Sequence, residues 1–255
     1  MASVTQRIKQ IIQPYGGYIP PKSMLVQQFK DKYELKPSES ISASTIGLAV
    51  DYLTRYMLSG DKEDAFSISL CGAKLANREE EAAELLADVD GLTPVSILAA
   101  CRLCGYDVAV RAGKTYYTPV YGIRPDTDTI YNIEIMVKRT LKFFEQVGPI
   151  LNSYIVFPGA YTEETNSGDG DFMTAGTIWD LKVSKYKPTS AHTLQLLMYA
   201  LMWERCDFAD QYPKIEFIGV FNPRLNASYT CDLSTLSDRT LKDVKRHVIG
   251  YRDVG

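Results

Sequence analysis

Residues 177–183, TIWDLKV, are dominated by Ile, Trp, Leu and Val and are punctuated at their start by Gly176, which predicts a β-strand. Strand side chains alternate faces, so Asp180 and Lys182 point one way while Trp179, Leu181 and Val183 point the other. Residues 191–206 form an apolar run of helical length, with Pro188 before it and Thr189 and Ser190 as candidate caps. Within that run Gln195 and Tyr199 are four apart and share a face, with His192 on the same side; His192 by itself reads as a surface residue. Residues 44–58 carry a clear amphipathic helical pattern, and 127–147 predict a second long helix. Further strands are expected at 153–157, 169–173 and 215–221, with a short strand region at 106–117. A closing helix is expected at 234–248, capped by Ser234 or Ser237.

The two strands at 169–173 and 177–183 are close enough to form a hairpin about the turn at 174–176. With Asp171 opposite Ile178, Asp169 falls opposite Asp180, and Asp169, Asp171, Asp180 and Lys182 share one face. A one-residue slip would scatter them. Hard divalent cations take oxygen ligands, and Mg²⁺ is commonly held by one or two carboxylates with water and a substrate phosphate. Asp171 and Asp180 suit such an ion, which polarises a phosphoryl oxygen and lowers the pKa of a bound water. Lys182 suits the orientation of that water or the offset of charge developing in the transition state. The chemistry indicated is phosphodiester hydrolysis.

The ordered set Asp171-Phe172, Ile178-Trp179-Asp180-Leu181-Lys182 and Gln195-Leu196-Leu197-Met198-Tyr199 resembles the PD-(D/E)XK nuclease superfamily, and the QxxxY ending resembles its RecB-like branch. The resemblance implies an α/β fold: a restriction-endonuclease-like core, with a mixed central sheet flanked by helices, at 127–255, behind a largely helical part at 1–126. It implies catalytic roles for Asp171, Asp180 and Lys182, substrate binding by Gln195 and Tyr199, and a Mg²⁺ or Mn²⁺ ion on Asp171, Asp180 and the backbone carbonyl of Leu181. The implied partner is nucleic acid, with DNA expected, and the implied settings include exonucleases and defence or repair complexes with further protein partners. Asp169 is an alternative first acid, and Glu134, on the 127–147 helix, is the best candidate for the extra acid that relatives of this branch add. Some relatives carry an iron-sulfur cluster on four cysteines, a pattern that Cys71, Cys101, Cys104, Cys206 and Cys231 do not match, so no cluster is expected.

Taken singly, each residue has a structural reading. Asp169 to Asp171 suit a polar turn, Asp180 and Lys182 suit charges on an edge strand, and Tyr199 suits a core residue with a wet hydroxyl. One site accounts for five residues that these readings treat as separate accidents. Cys101 and Cys104 have the spacing of a half zinc site but no complement of further ligands, and read as packed helical cysteines.

Composition qualifies this picture in one respect. At 255 residues, 45% hydrophobic and 23% charged, the chain is a typical globular protein able to bury a sizeable core. Five irregularly spaced cysteines suit reduced thiols, and neither a signal-peptide core nor a membrane-length apolar stretch is present, so a cytoplasmic, non-membrane protein is expected. The net charge of −3 argues against a broadly nucleic-acid-coated surface. Any phosphate contact must come from a local patch, for which Lys182, Lys185, Lys187, Arg205 and Arg224 are available. The acidic balance also supports an alternative: a nucleic-acid or partner-binding module that keeps a nuclease-like core without its activity.

Overall fold

The computed structural model describes residues 2–253. The chain folds as two compact units, one of Met1–Lys30 with Phe144–Gly255 and one of Asp31–Phe143. The division therefore differs from the 1–126 and 127–255 parts expected from sequence: the chain start belongs with the later half, and the second unit is an insertion. The reason is a strand that the pattern did not announce, described below.

The first unit opens with β1 (Ala2–Ser3), α1 (Val4–Gln10) and β2 (Leu25–Gln28). The inserted unit is helical, with α2 (Ala43–Ser59), α3 (Lys62–Ala65), α4 (Ser67–Ala76), α5 (Glu79–Ala87), α6 (Pro94–Leu103), α7 (Asp107–Arg111) and most of α8 (Thr127–Val147). Its helix starts are fixed by side-chain caps: Ser42 accepts the Thr45 N–H at 3.1 Å, Thr93 the Ser96 N–H at 3.2 Å, and Asp126 the Thr129 N–H at 2.8 Å. Ile46, Val50, Leu53, Ile97 and Leu103 are fully buried within it.

Region 106–117 is helical and turn-like rather than the short strand expected. The Asp107 carboxylate is buried and accepts the Tyr52 hydroxyl at 2.6 Å and the Ser69 hydroxyl at 2.7 Å, with Arg111 pairing to it one helical turn on at 3.2 Å. A buried carboxylate needs all of those partners, and only a helix brings Arg111 back to it. Cys101 and Cys104 pack in the core of this unit, where burial pushes the Cys101 thiol up to about 12.

The chain then returns to the first unit through β3 (Thr165–Ser167), β4 (Phe172–Thr174), β5 (Thr177–Leu181), α9 (Ser190–Trp203), β6 (Phe217–Asn222), β7 (Ala227–Asp232), α10 (Asp238–Asp243) and a π-helix at Val244–Ile249. Five strands form a mixed sheet in the order β2-β7-β6-β5-β4, with β5 and β6 parallel and the other neighbours antiparallel. The unit is thus α/β, a mixed sheet flanked by helices. A second, two-stranded sheet pairs β1 with β3 in parallel. The strand expected at 153–157 makes only isolated bridges, Asn152 to Met173 and Ile155 to Gly170. Ser237 caps α10 by accepting the Thr240 N–H at 3.2 Å, whereas Ser234 lies in a 3-10 turn ahead of it.

Helix α9 is buried on almost every side, from Thr193 and Leu194 through Leu196 to Trp203, with Gln195 the break in that run. A helix apolar all round belongs in an interior, and α9 lies against β5 and β6. On the sheet itself, Trp179 pairs with Gly219 across β5 and β6, its indole N–H donating to Thr174 Oγ1 at 3.0 Å. A Cβ on Gly219 would stand 2.2 Å from the Trp179 ring. Gly219→Ala is therefore expected to lower stability by about 1–3 kcal/mol, read from urea midpoints, because the indole must leave its place. An unchanged midpoint would mean the ring moves aside freely.

Candidate active site

The β4–β5 hairpin turns through Ala175 and Gly176, with Thr174 opposite Thr177 and Gly176 at φ +76°, a backbone region that favours glycine. The register is Phe172 to Trp179 and Met173 to Ile178. It corrects the expected pairing of Asp171 with Ile178 by two residues. A shift of two preserves the face, because side chains alternate with period two. Continuing the ladder by one step sets Asp171, not Asp169, opposite Asp180.

The ladder ends at that point for a definable reason. Gly170 would face Leu181 next, but its N–H and C=O both bond to Ile155, at 2.8 and 3.0 Å. Leu181 N–H is served instead by the Asp171 carboxylate, through Oδ2 at 2.7 Å. Asp171 thus closes the open end of the hairpin and is held over β5. Next to it, the Asp180 side chain is 3% exposed and is bridged through Oδ1 by Lys182 Nζ at 2.8 Å. The second carboxylate oxygen, Oδ2, is buried as well. A buried carboxylate at a strand end is costly unless a cation stands beside it.

From α9, Gln195 Nε2 donates to Tyr199 Oη at 2.9 Å, so the two residues placed four apart in sequence form one hydrogen-bonded unit. Tyr199 is buried and stacks on Phe157, ring centroids 5.1 Å apart. Its phenol is pushed far above the usual tyrosine range, first by burial and then by the negative charges of Asp180, Asp169 and Asp171, against the lowering effect of the Gln195 amide. All three acids therefore act on one hydroxyl, which remains protonated at neutral pH. Asp169 is exposed, whereas Asp171 is half-buried. Glu134 lies on α8 in the inserted unit, in an ion pair with Lys138 at 2.5 Å.

Several supports were outside the sequence reading. Tyr161 hydroxyl donates to the Gly168 carbonyl at 3.1 Å and steadies the approach to Asp169. A Cβ on Gly168 would stand 2.7 Å from Val4 and 3.3 Å from Tyr199, so a glycine lets this segment run close to the helix. Val4 and Phe157 lie far from the motif in sequence, and no local signal ties them to it.

His192, expected on the surface, is half-buried. Its Nδ1 accepts the Thr189 N–H at 3.2 Å, closing the first turn of α9, and its pKa falls to about 4 through burial first and the nearby Lys182 ammonium second. An imidazole in an unfolded chain titrates near about 6.5. Between those values the unfolded state binds more protons, so this contribution is complete above pH ~6.5 and is lost as pH falls towards 4. Urea unfolding at pH 7 and pH 4.5 is expected to show His192→Gln losing about 1–2 kcal/mol less than the natural chain, discounted for partial solvent access. Equal losses would contradict the assignment.

Asp171, Asp180 and the Leu181 carbonyl are hard oxygen donors, the type that Mg²⁺ and Mn²⁺ take. Among the described residues no group of three or more His, Cys, Asp or Glu side chains forms a cage. The donor set instead matches the use of one or two carboxylates with the remaining positions left to water and phosphate. The other cations named from sequence are distributed differently: Lys185 and Lys187 are exposed just after β5, while the Arg205 guanidinium lies over the Tyr251 ring at 4.1 Å. No protein-family model, no curated protein and no solved structure matches this chain. No described helix is long and apolar enough to cross a membrane.

Proposed function

We propose that this chain is a Mg²⁺- or Mn²⁺-dependent nuclease of the PD-(D/E)XK kind, hydrolysing phosphodiester bonds of DNA on a restriction-endonuclease-like core. The observation that carries the reading is the meeting of Asp171 and Asp180 at the open end of the β4–β5 hairpin, with Lys182 on Asp180 and Tyr199 under the charge of both acids. On this reading Asp171, Asp180 and the Leu181 carbonyl hold the ion. When bound, the ion supplies Lewis-acid polarisation and an activated water. Lys182 keeps a positive charge beside the reacting phosphoryl group and offsets the negative charge that develops there. Asp171 is positioned for its role by the Leu181 N–H, which its Oδ2 accepts. Gln195 fixes the Tyr199 hydroxyl, which stays a neutral donor facing the acids.

The test is incubation of the purified chain with linear and circular DNA, single- and double-stranded, in Mg²⁺, Mn²⁺ or EDTA. Metal-dependent cleavage is expected, with no cleavage in EDTA, and survival of the circles would mark an exonuclease. Absence of cleavage under every condition would overturn the reading and favour a binding module on the same core, the alternative to which the net charge of −3 lends weight.

A further inference from the structure

The segment that leaves β5 carries a feature the metal site does not use. Lys185-Tyr186-Lys187 follows the Lys182 position by three residues, and Tyr186 is 80% exposed, with exposed lysines on both sides. Neither lysine forms an ion pair among the described residues. An isolated exposed tyrosine would mean little. This one stands on a loop that is held from beneath.

The clamp is Asn222, the last residue of β6 and 1% exposed. Its amide donates to the Ser184 carbonyl at 2.8 Å and to the Tyr186 carbonyl at 3.3 Å, while its Oδ1 accepts the Arg224 and Leu225 N–H groups at 3.0 and 3.2 Å. Ser184 Oγ in turn accepts the Tyr186 N–H at 3.0 Å. Ahead of the loop, Lys182 N–H continues the β5–β6 ladder to the Phe221 carbonyl at 3.0 Å, and after it Pro188 is buried. The backbone of 182–188 is therefore fixed at both ends and in the middle, while the ring and two ammonium groups project. A buried amide is used to present an aromatic face to solvent.

We propose that Tyr186 is a base-stacking platform and Lys185 and Lys187 its phosphate contacts, so that the substrate strand reaching the metal site is single-stranded at this point. This deepens the nuclease reading and rests on it for the choice of nucleic acid as the polyanion. Stacking on an aromatic face needs a base whose own face is open, which a single strand offers and a duplex interior does not. The lysines flanking the ring match the alternation of base and phosphate along such a strand. A clamped loop loses little conformational freedom on binding, which makes a small patch effective on an acidic protein.

The experiment uses the full chain in EDTA, where nothing is cleaved, and follows fluorescence anisotropy of a labelled oligothymidine and of a duplex of equal length. The single strand is expected to bind more tightly than the duplex. Tyr186→Ala is expected to weaken single-strand binding roughly tenfold, and Tyr186→Phe to keep it, since the ring and not the hydroxyl is used. Lys185→Ala with Lys187→Ala is expected to reduce the salt slope of log Kd by about 1.4. Unchanged melting of each variant establishes that the fold is kept. Binding unaffected by Tyr186→Ala, or equal for strand and duplex, would overturn this proposal even where Lys182→Ala abolishes cleavage. Conversely, ring-dependent binding by a chain that cleaves nothing in any metal would leave the platform standing and remove the nuclease reading.

Discussion

Lys182→Ala is expected to lower metal-dependent cleavage by a factor of about 100–1,000, the range set by losing one group that stabilises transition-state charge. The far-ultraviolet circular dichroism of the variant is expected to be unchanged, because Lys182 follows β5 and its own backbone N–H, bonded to Phe221, is untouched. The same substitution has a second signature. In EDTA it leaves the buried Asp180 carboxylate without the ammonium 2.8 Å away, at a cost of about 1–3 kcal/mol, reduced from that of a fully buried pair because Lys182 is 28% exposed. Added Mn²⁺ is expected to restore a cation beside Asp180 and to narrow that stability gap. Cleavage that survives the substitution would move the chemistry elsewhere, and a collapsed spectrum would make Lys182 a structural residue.

Mn²⁺ is expected to raise the melting temperature of the natural chain, and Asp180→Asn to abolish the rise. A ligand at a hundred times its Kd stabilises by about 2.7 kcal/mol. For a chain of this size that corresponds to about 5–10 °C. Asp171→Asn separates two roles of one side chain. An asparagine oxygen still accepts the Leu181 N–H and keeps the hairpin closed, but it carries no charge for the ion. The melting temperature of Asp171→Asn in EDTA is therefore expected near that of the natural chain, with the Mn²⁺ response lost. Asp171→Ala loses both, because the Leu181 N–H is left without its acceptor at a cost of about 1–3 kcal/mol. A full Mn²⁺ response in both asparagine variants would remove the two acids from the metal site.

The elements around the site were legible where local pattern and tertiary role agree. Strand β5 and helix α9 announce themselves through β-branched and aromatic content and through a long apolar run, and α8 is found at the residues the pattern indicates. The hairpin register was not legible to the residue. Two-residue and longer turns fit the same sequence, and the Ala175-Gly176 turn decides between them by its geometry. The shared face of Asp171 and Asp180 survived only because the error was even.

Unit organisation was the harder part. Strand β2 is LVQQ, exposed along its length, and β7 is ASYTCD, rich in small and polar residues. Strand β2 lacks the alternation that marks a half-buried strand, whereas in β7 Ala227, Tyr229 and Cys231 alternate with Ser228, Thr230 and Asp232. Yet β2 pairs with β7 from Leu25 opposite Thr230 to Gln28 opposite Ala227, and that pairing draws the chain start into the sheet of the later half. Such a long-range choice is made by backbone hydrogen bonds available at a sheet edge, which a sequence window does not contain. The supports of Tyr199 from Val4 through Gly168, and from Phe157, are invisible for the same reason.

The central claim is that Asp171 and Asp180 hold a divalent ion at the open end of the β4–β5 hairpin. Anomalous scattering from crystals grown with Mn²⁺ and a short oligonucleotide, using the Lys182→Ala chain so that substrate persists, places that ion directly. The account predicts a peak about 2 Å from a carboxylate oxygen of each acid and from the Leu181 carbonyl. A peak elsewhere, or ordered oligonucleotide at the hairpin with no peak beside these oxygens, would contradict it.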